Sequence, residues 1–195
     1  MKTVIIKYNA GNIQSVLFAL KRIGYEAIIS DNADEINSAD KIIFPGVGEA
    51  SSAMNHLKEK NLDELIIQLK QPVLGICLGM QLMCSSSEEG NTKCLGIFDE
   101  QVVRFQSNEQ CKVPHVGWNT INHLKSSLFQ DVKENEYMYF VHGYYAPQSA
   151  EAIASTNYGL TYSSALSKNN FYGVQFHPEK SGSAGEQILK NFLSI

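Results

Sequence analysis

The chain has no excess of basic charge: 16 Lys and Arg stand against 20 Asp and Glu, a formal net charge of −4. No positive field is available to hold a phosphate backbone, so nucleic acid is excluded as a primary partner. Long apolar runs are also missing, and nothing approaches the roughly 18 uninterrupted apolar residues that a membrane-spanning helix needs. The N-terminal stretch turns polar after Ile6, too early for the core of a secretory signal, so no membrane partner and a cytoplasmic location are expected. Cysteine is sparse. Cys77, Cys84, Cys94 and Cys111 form no C-x-x-C pair, and His56, His115, His123, His142 and His177 do not supply the short spacings of a zinc site. The thiols therefore read as reduced, with no metal and no cofactor expected.

What is present is the balance of a globular protein, 44% hydrophobic and 18% charged residues over 195 positions, which suits one domain over residues 1–195. The first half alternates strand and helix. Thr3 to Ile6 is a short apolar run that ends in the turn Tyr8-Asn9-Ala10-Gly11-Asn12. Ile13, Val16, Leu17, Leu20 and Ile23 then recur at helical spacing until Gly24. Ala27 to Ile29 and Lys41 to Phe44 are expected strands, Met54 to Leu69 is helical cover, and Val73 to Ile76 is a buried-type strand running into helix formers from Leu78 to Cys84. From about Gly96 the apolar runs shorten: Val102 to Phe105, Tyr137 to Val141, Ala152 to Ala154 and Phe171 to Phe176 read as antiparallel strands added to the sheet, with a last helix over Glu186 to Leu193. The expected fold is α/β, a three-layer sandwich around a mostly parallel central sheet with antiparallel additions.

Gly75-Ile76-Cys77-Leu78-Gly79 is the sharpest local feature, a nucleophile elbow with Cys in the usual place of Ser, between a strand and a helix. Glycines two before and two after the cysteine relieve the contacts that a Cβ would make on so tight a turn. The turn also aims the Leu78 N–H at the reacting centre and sets the sulfur at a positive helix end, which favours the thiolate. A buried small hydrophobe beside two packing glycines fits the same five residues.

A cysteine nucleophile needs a base, and the base an orienter. His177-Pro178-Glu179 follows an apolar run, and in extended chain residues two apart share a face. Glu179 can then accept from one ring nitrogen of His177 while the other faces the thiol; an edge-strand histidine before a turn is the alternative. Pro45-Gly46-Val47-Gly48 ends another expected parallel strand, where open α/β sheets bind ligands, and the N–H of Val47 is a candidate second oxyanion donor beside Leu78. A Rossmann fingerprint is not met, because Ser51 stands where the third glycine belongs, and no P-loop occurs. His115 and His142 fit structural or interface positions, the aromatic run Tyr137, Tyr139, Phe140, Tyr144 and Tyr145 fits a core, and Trp118 fits a protein contact or a buried site.

Gly75 to Gln81, Pro45 to Gly48 and Phe176 to Glu179 together resemble the class I (triad) glutamine amidotransferases. Within them, Gly11-Asn12-Ile13, Pro114 to Asn119, Tyr139 to His142 and His177 to Gly182 are similar to the glutaminase subunits of imidazole glycerol phosphate synthases, and the likeness spans essentially the whole chain. The resemblance implies that Cys77 attacks the side-chain amide of L-glutamine, with His177 as base and then acid, Glu179 as its orienter and a glutamyl thioester between. It further implies that Gly48, Gln81, Glu89, Gly143 and Tyr144 hold glutamine, and that Asn12, Trp118, Tyr139 and Lys180 lie toward a (β/α)8-barrel cyclase subunit that consumes the ammonia. Two positions depart from the family pattern: Lys7-Tyr8-Asn9 stands where an acidic residue and a glycine are common, and Gly143 replaces a hydroxyl residue. The alternative functions are a paralogous glutaminase serving another synthase and a non-catalytic docking subunit.

Overall fold

The computed structural model describes residues 1–9, 11–107 and 111–195. Ala10, within the turn expected after the first strand, lies outside them. The first half supplies β1 (Thr3–Ile6), α1 (Ile13–Arg22), β2 (Ile28–Ser30), α2 (Ala33–Asn37), β3 (Lys41–Gly46), α3 (Ala50–Glu59), α4 (Leu62–Gln68), β4 (Val73–Cys77) and α5 (Leu78–Met83). The remainder adds β5 (Ser86–Ser87), β6 (Thr92–Lys93), β7 (Gln101–Arg104), β8 (His115–Ile121), β9 (Glu136–His142), β10 (Tyr144–Tyr145), β11 (Ala152–Tyr158), β12 (Leu160–Lys168), β13 (Phe171–Val174) and α6 (Gly182–Ser194).

Seven strands form the central sheet in the order β11-β12-β13-β4-β3-β1-β2. The pairs from β13 to β2 are parallel, whereas β11 and β12 are added antiparallel. Every residue of β1, β3 and β4 is buried, as expected of strands covered on both faces. Their successive side chains feed opposite cores. Val4, Ile6, Ile42 and Phe44 join the layer of α3, α4 and α5, while Ile5, Ile43, Leu74 and Ile76 join Val16 and Leu20 of α1 and Ile188, Leu189 and Phe192 of α6.

Three details differ from the sequence expectation. The helical cover before Pro72 is two helices, broken where Asn61 adopts a left-handed conformation (φ 54°) that asparagine tolerates better than most residues. Of the four late apolar runs, only the one at β11 is a wholly antiparallel addition; β13 runs parallel to β4 and antiparallel to β12. β7 and β9 leave the central sheet altogether, for a small four-stranded sheet (β10-β7-β5-β6) and a two-stranded ribbon (β8-β9). Buried and partly exposed residues alternate along β9, so it needs cover on one face only.

Candidate active site

Cys77 ends β4 and precedes α5 with φ 54° and ψ −110°, a conformation that L residues avoid. Its glycine neighbours make this possible. A Cβ on Gly79 would run into the Phe44 carbonyl of the adjacent strand, and one on Gly75 would approach the Gly79 carbonyl carbon and Met80 nitrogen to 2.9 Å. α5 has only six residues, so the field at the sulfur comes from the unpaired N–H groups of its first turn rather than from a long dipole.

His177 reaches Cys77 from the end of β13. The segment Pro178–Lys180 is a turn of 3₁₀ helix and not the extended chain expected from the sequence. Pro178 at its first position suits that turn, and the result is the contact anticipated by another route: Glu179 Oε1 lies 2.8 Å from His177 Nδ1. Both side chains are buried, and Asn12 Nδ2 donates to the same Glu179 oxygen. Cys77 and His177 line the same cavity, close enough for the charge of a Cys77 thiolate to act on the ring. Burial pulls the His177 pKa down, but the charge of Cys77 and the charge and hydrogen bond of Glu179 outweigh it, so the imidazole is pushed up to about 10. His177 is therefore an imidazolium when its neighbour is a thiolate.

A cavity of about 200 Å³ opens over this pair, lined by Val47, Gly48, Cys77, Leu78, Gln81, Glu89, Val141, His142, Gly143, Tyr144, His177 and Lys180. Both expected oxyanion residues and all five expected glutamine-binding residues are thus brought to one chamber. Glu89 also accepts from the Ala50 N–H at the start of α3, and partial burial raises its pKa. Glu88 instead accepts from the Arg104 N–H. Tyr8, the departure noted after β1, is buried against Gly46 and donates its hydroxyl to the Pro45 carbonyl at 2.7 Å, so it braces the loop that carries Val47.

Tyr139, Trp118 and Lys180 meet beside the chamber: the Trp118 and Tyr139 rings are 5.8 Å apart, and Lys180 Nζ lies 5.9 Å from the Tyr139 centroid. Asn12 is set inward by its bond to Glu179.

Sequence reasoning missed Val141 and Gln175, while His142, expected in a structural or interface position, is a structural ring that also lines the chamber. His142 Nδ1 is 2.7 Å from the Tyr144 carbonyl, and its Nε2 lies 3.2 Å from both His115 Nδ1 and the Tyr162 hydroxyl. Burial drives the pKa of His142 down to about 3 and that of His115 to about 4, so both rings are neutral polar struts behind the chamber. The signal for Gln175 is a polar residue inside an apolar run. Among the described residues, no group of three or more His, Cys, Asp or Glu could hold a metal ion.

Residues 4–195 match the family model "Glutamine amidotransferase class-I". The chain is 59% identical over 196 residues to the imidazole glycerol phosphate synthase subunit HisH of Bacteroides fragilis (strain YCH46), covering 100% of both chains. It is 47% identical over 197 residues to that of Pectobacterium atrosepticum, again covering 100% of each. Among solved structures, a glutamine amidotransferase from Thermotoga maritima superposes with a TM-score of 0.63 at 14% identity, covering 100% of this chain and 83% of the other, a likeness of fold alone. This chain belongs to the class I glutamine amidotransferases and, within them, groups with the imidazole glycerol phosphate synthase HisH subunits.

Proposed function

We propose that the chain, acting as a single domain, is the glutaminase subunit of an imidazole glycerol phosphate synthase. It hydrolyses L-glutamine and passes the ammonia to a (β/α)8 cyclase subunit that forms imidazole glycerol phosphate and an aminoimidazole carboxamide ribonucleotide in histidine biosynthesis. The observation that carries this is the strained Cys77 elbow, with the buried His177–Glu179 pair beside it, opening on one small chamber. The Cys77 thiolate attacks the side-chain carbonyl carbon of glutamine. The oxygen of the tetrahedral adduct lies between the Leu78 and Val47 N–H groups, and the His177 imidazolium gives its proton to the departing ammonia. His177 then takes a proton from water as that water attacks the thioester, and glutamate leaves with the thiolate restored.

At about 200 Å³ the chamber falls below the roughly 300 Å³ at which drug-sized pockets begin, a size suited to a single amino acid. Glu89 faces the α-ammonium, and Gln81, whose amide nitrogen is committed elsewhere, offers its carbonyl oxygen. Gly48, Gly143 and Tyr144 contribute backbone groups. A Cβ on Gly143 would meet nothing nearer than Val113 Cγ1 at 3.7 Å, so Gly143→Ser is expected to fold normally and to change KM for glutamine by less than about threefold. Steady-state kinetics checks this, and a tenfold change would mean that the site depends on the missing side chain.

We place the partner on the β8–β9 ribbon. Val116, Trp118 and Tyr137 are 56%, 55% and 58% exposed, and the cross-strand pairs Val116–Val141 and Trp118–Tyr139 set an apolar row beside the chamber. Lys180 extends that face through Tyr139, whereas Asn12, expected toward the partner, turns inward to Glu179. Tyr139 also holds the catalytic turn, because the His177 N–H donates to its carbonyl and its own N–H donates to the Ser181 hydroxyl. No helix among the described residues is long and apolar enough to cross a membrane, and we assign the complex to the cytoplasm.

Ammonia released without an acceptor is lost to water, and a peptide between Gly46 and Gly48 can rest in more than one orientation. We therefore expect the isolated chain to be a poor glutaminase and a cyclase carrying its nucleotide ligand to raise the rate. The restored oxyanion donor alone is worth roughly 10²–10³-fold. Glutamate production by the chain alone, with empty cyclase and with ligand-loaded cyclase tests this; full activity in the lone chain rules the coupling out.

A further inference from the structure

Gln175, between β13 and His177, has a wholly buried side chain that the triad does not use. Its orientation follows from a backbone carbonyl. The Tyr144 oxygen can only accept, and Gln81 faces it at 3.0 Å, so the Gln81 atom there is nitrogen. The same nitrogen lies 2.8 Å from Gln175, whose facing atom must then be the amide oxygen. The Gln175 NH2 group is thereby turned toward Cys77, with Nε2 3.6 Å from Sγ. Its place is fixed, since its own backbone N–H donates to the Ser164 carbonyl.

We propose that Gln175 is a further catalytic residue, an amide donor that holds the Cys77 sulfur as thiolate and is set in that orientation by Gln81 of the glutamine chamber. This rests on Cys77 being the nucleophile. An amide N–H stabilises the anion and not the thiol, and it has no proton to surrender, so it favours the charged form without competing with His177 as base. The other groups facing the sulfur leave room for such a donor. The Val141 carbonyl at 3.7 Å from β9 opposes a thiolate, the His177 imidazolium favours it, and the buried Tyr8 and Tyr162 phenols and neutral His142 add no positive charge. The chain of bonds from Sγ through Gln175 and Gln81 to the Tyr144 carbonyl also ties the nucleophile to the wall that binds substrate.

The test is the pH dependence of alkylation of the full-length chain by iodoacetamide, read by mass spectrometry on the Cys77 peptide. Gln175→Met keeps the volume and removes the donor; Gln175→Asn keeps an amide but withdraws it by one methylene. Loss of one hydrogen bond to a charged sulfur shifts the midpoint upward by roughly one to two pH units in either variant that retains a cooperative melt. The acid limb of glutamine-dependent turnover with the loaded cyclase is expected to move upward together with the alkylation midpoint, which a packing defect does not produce. Labelling of Cys77 with an unchanged midpoint in a folded variant overturns the assignment of Gln175. Labelling of Cys84, Cys94 or Cys111 in place of Cys77 instead overturns the nucleophile itself. Should both variants fail to fold, the wild-type Gln175 side-chain NH2 resonances decide: they move with the Cys77 titration, and resonances that stay fixed through it overturn the proposal.

Discussion

Cys77→Ala is expected to abolish glutamine-driven synthesis while the complex still turns over with added ammonium salt. No other thiol is placed to replace it. Cys84 and Cys94 are buried, and burial pushes the thiol of Cys84 well up and that of Cys94 to about 11, so neither is a ready nucleophile at neutral pH. Cys111 is buried too, beside Tyr158 and Gly159 rather than in the chamber. The loss should be large, on the order of 10⁶-fold, because removing the nucleophile deletes the covalent route and not merely one stabilising contact. Folding should survive. Alanine keeps the Cβ, and the contacts that shape the elbow belong to Gly75, Gly79 and Phe44 rather than to the sulfur. Two assays on one preparation settle the matter, glutamate formation and ammonium-dependent product formation. Glutamine-driven turnover near the wild-type level would sink the nucleophile assignment, and loss of both activities would point to a failure of docking.

The parts of this site that are legible in the sequence are those in which chemistry and backbone geometry share one short segment. An elbow needs glycines at fixed offsets because strand and helix approach each other there, so the spacing of Gly75 and Gly79 makes Cys77 a candidate nucleophile. The His177–Glu179 pair is what sets it apart from a buried small hydrophobe between packing glycines. His177 and Glu179 are two residues apart, and their contact forms in a 3₁₀ turn although the sequence suggests extended chain, since either conformation brings the pair together. The buried strands β1, β3 and β4 are visible as unbroken apolar runs. β12 is not, because its buried Ser163 and Ser164 give it a polar composition, and neither is α2, a five-residue helix whose formation leans on Asn32 accepting from the Asp34 and Glu35 N–H groups. Bonds that join distant segments leave no local trace. Asn12 to Glu179, Gln175 to Cys77 and Gln81 to the Tyr144 carbonyl span 167, 98 and 63 residues of chain, and spacing says nothing about them.

His177→Ala is expected to lose at least as much glutamine-driven turnover as Glu179→Gln, on the order of 10⁶-fold against 10⁴-fold, since the second change leaves the proton carrier in place. The pH profiles separate the two roles. In the wild-type chain the imidazolium persists up to about 10, and it must be present to protonate the departing ammonia, so activity falls as the pH rises through that value. Part of the upward shift is the hydrogen bond and charge of Glu179. Removing that charge lowers the pH at which the proton is lost, so the alkaline limb of Glu179→Gln moves to lower pH while the Cys77 contribution remains. Asn12 retains an acceptor in the amide oxygen of the variant, which limits rearrangement of the turn. The profile of kcat against pH, measured with ligand-loaded cyclase so that chemistry and not docking is observed, gives both the order of losses and the direction of the shift. Equal tolerance of the two substitutions, or an alkaline limb in Glu179→Gln that does not move, would reduce the His177–Glu179 pair to a buried structural contact and return the search for the base to the other histidine of the chamber, His142, whose ring stays neutral down to about pH 3.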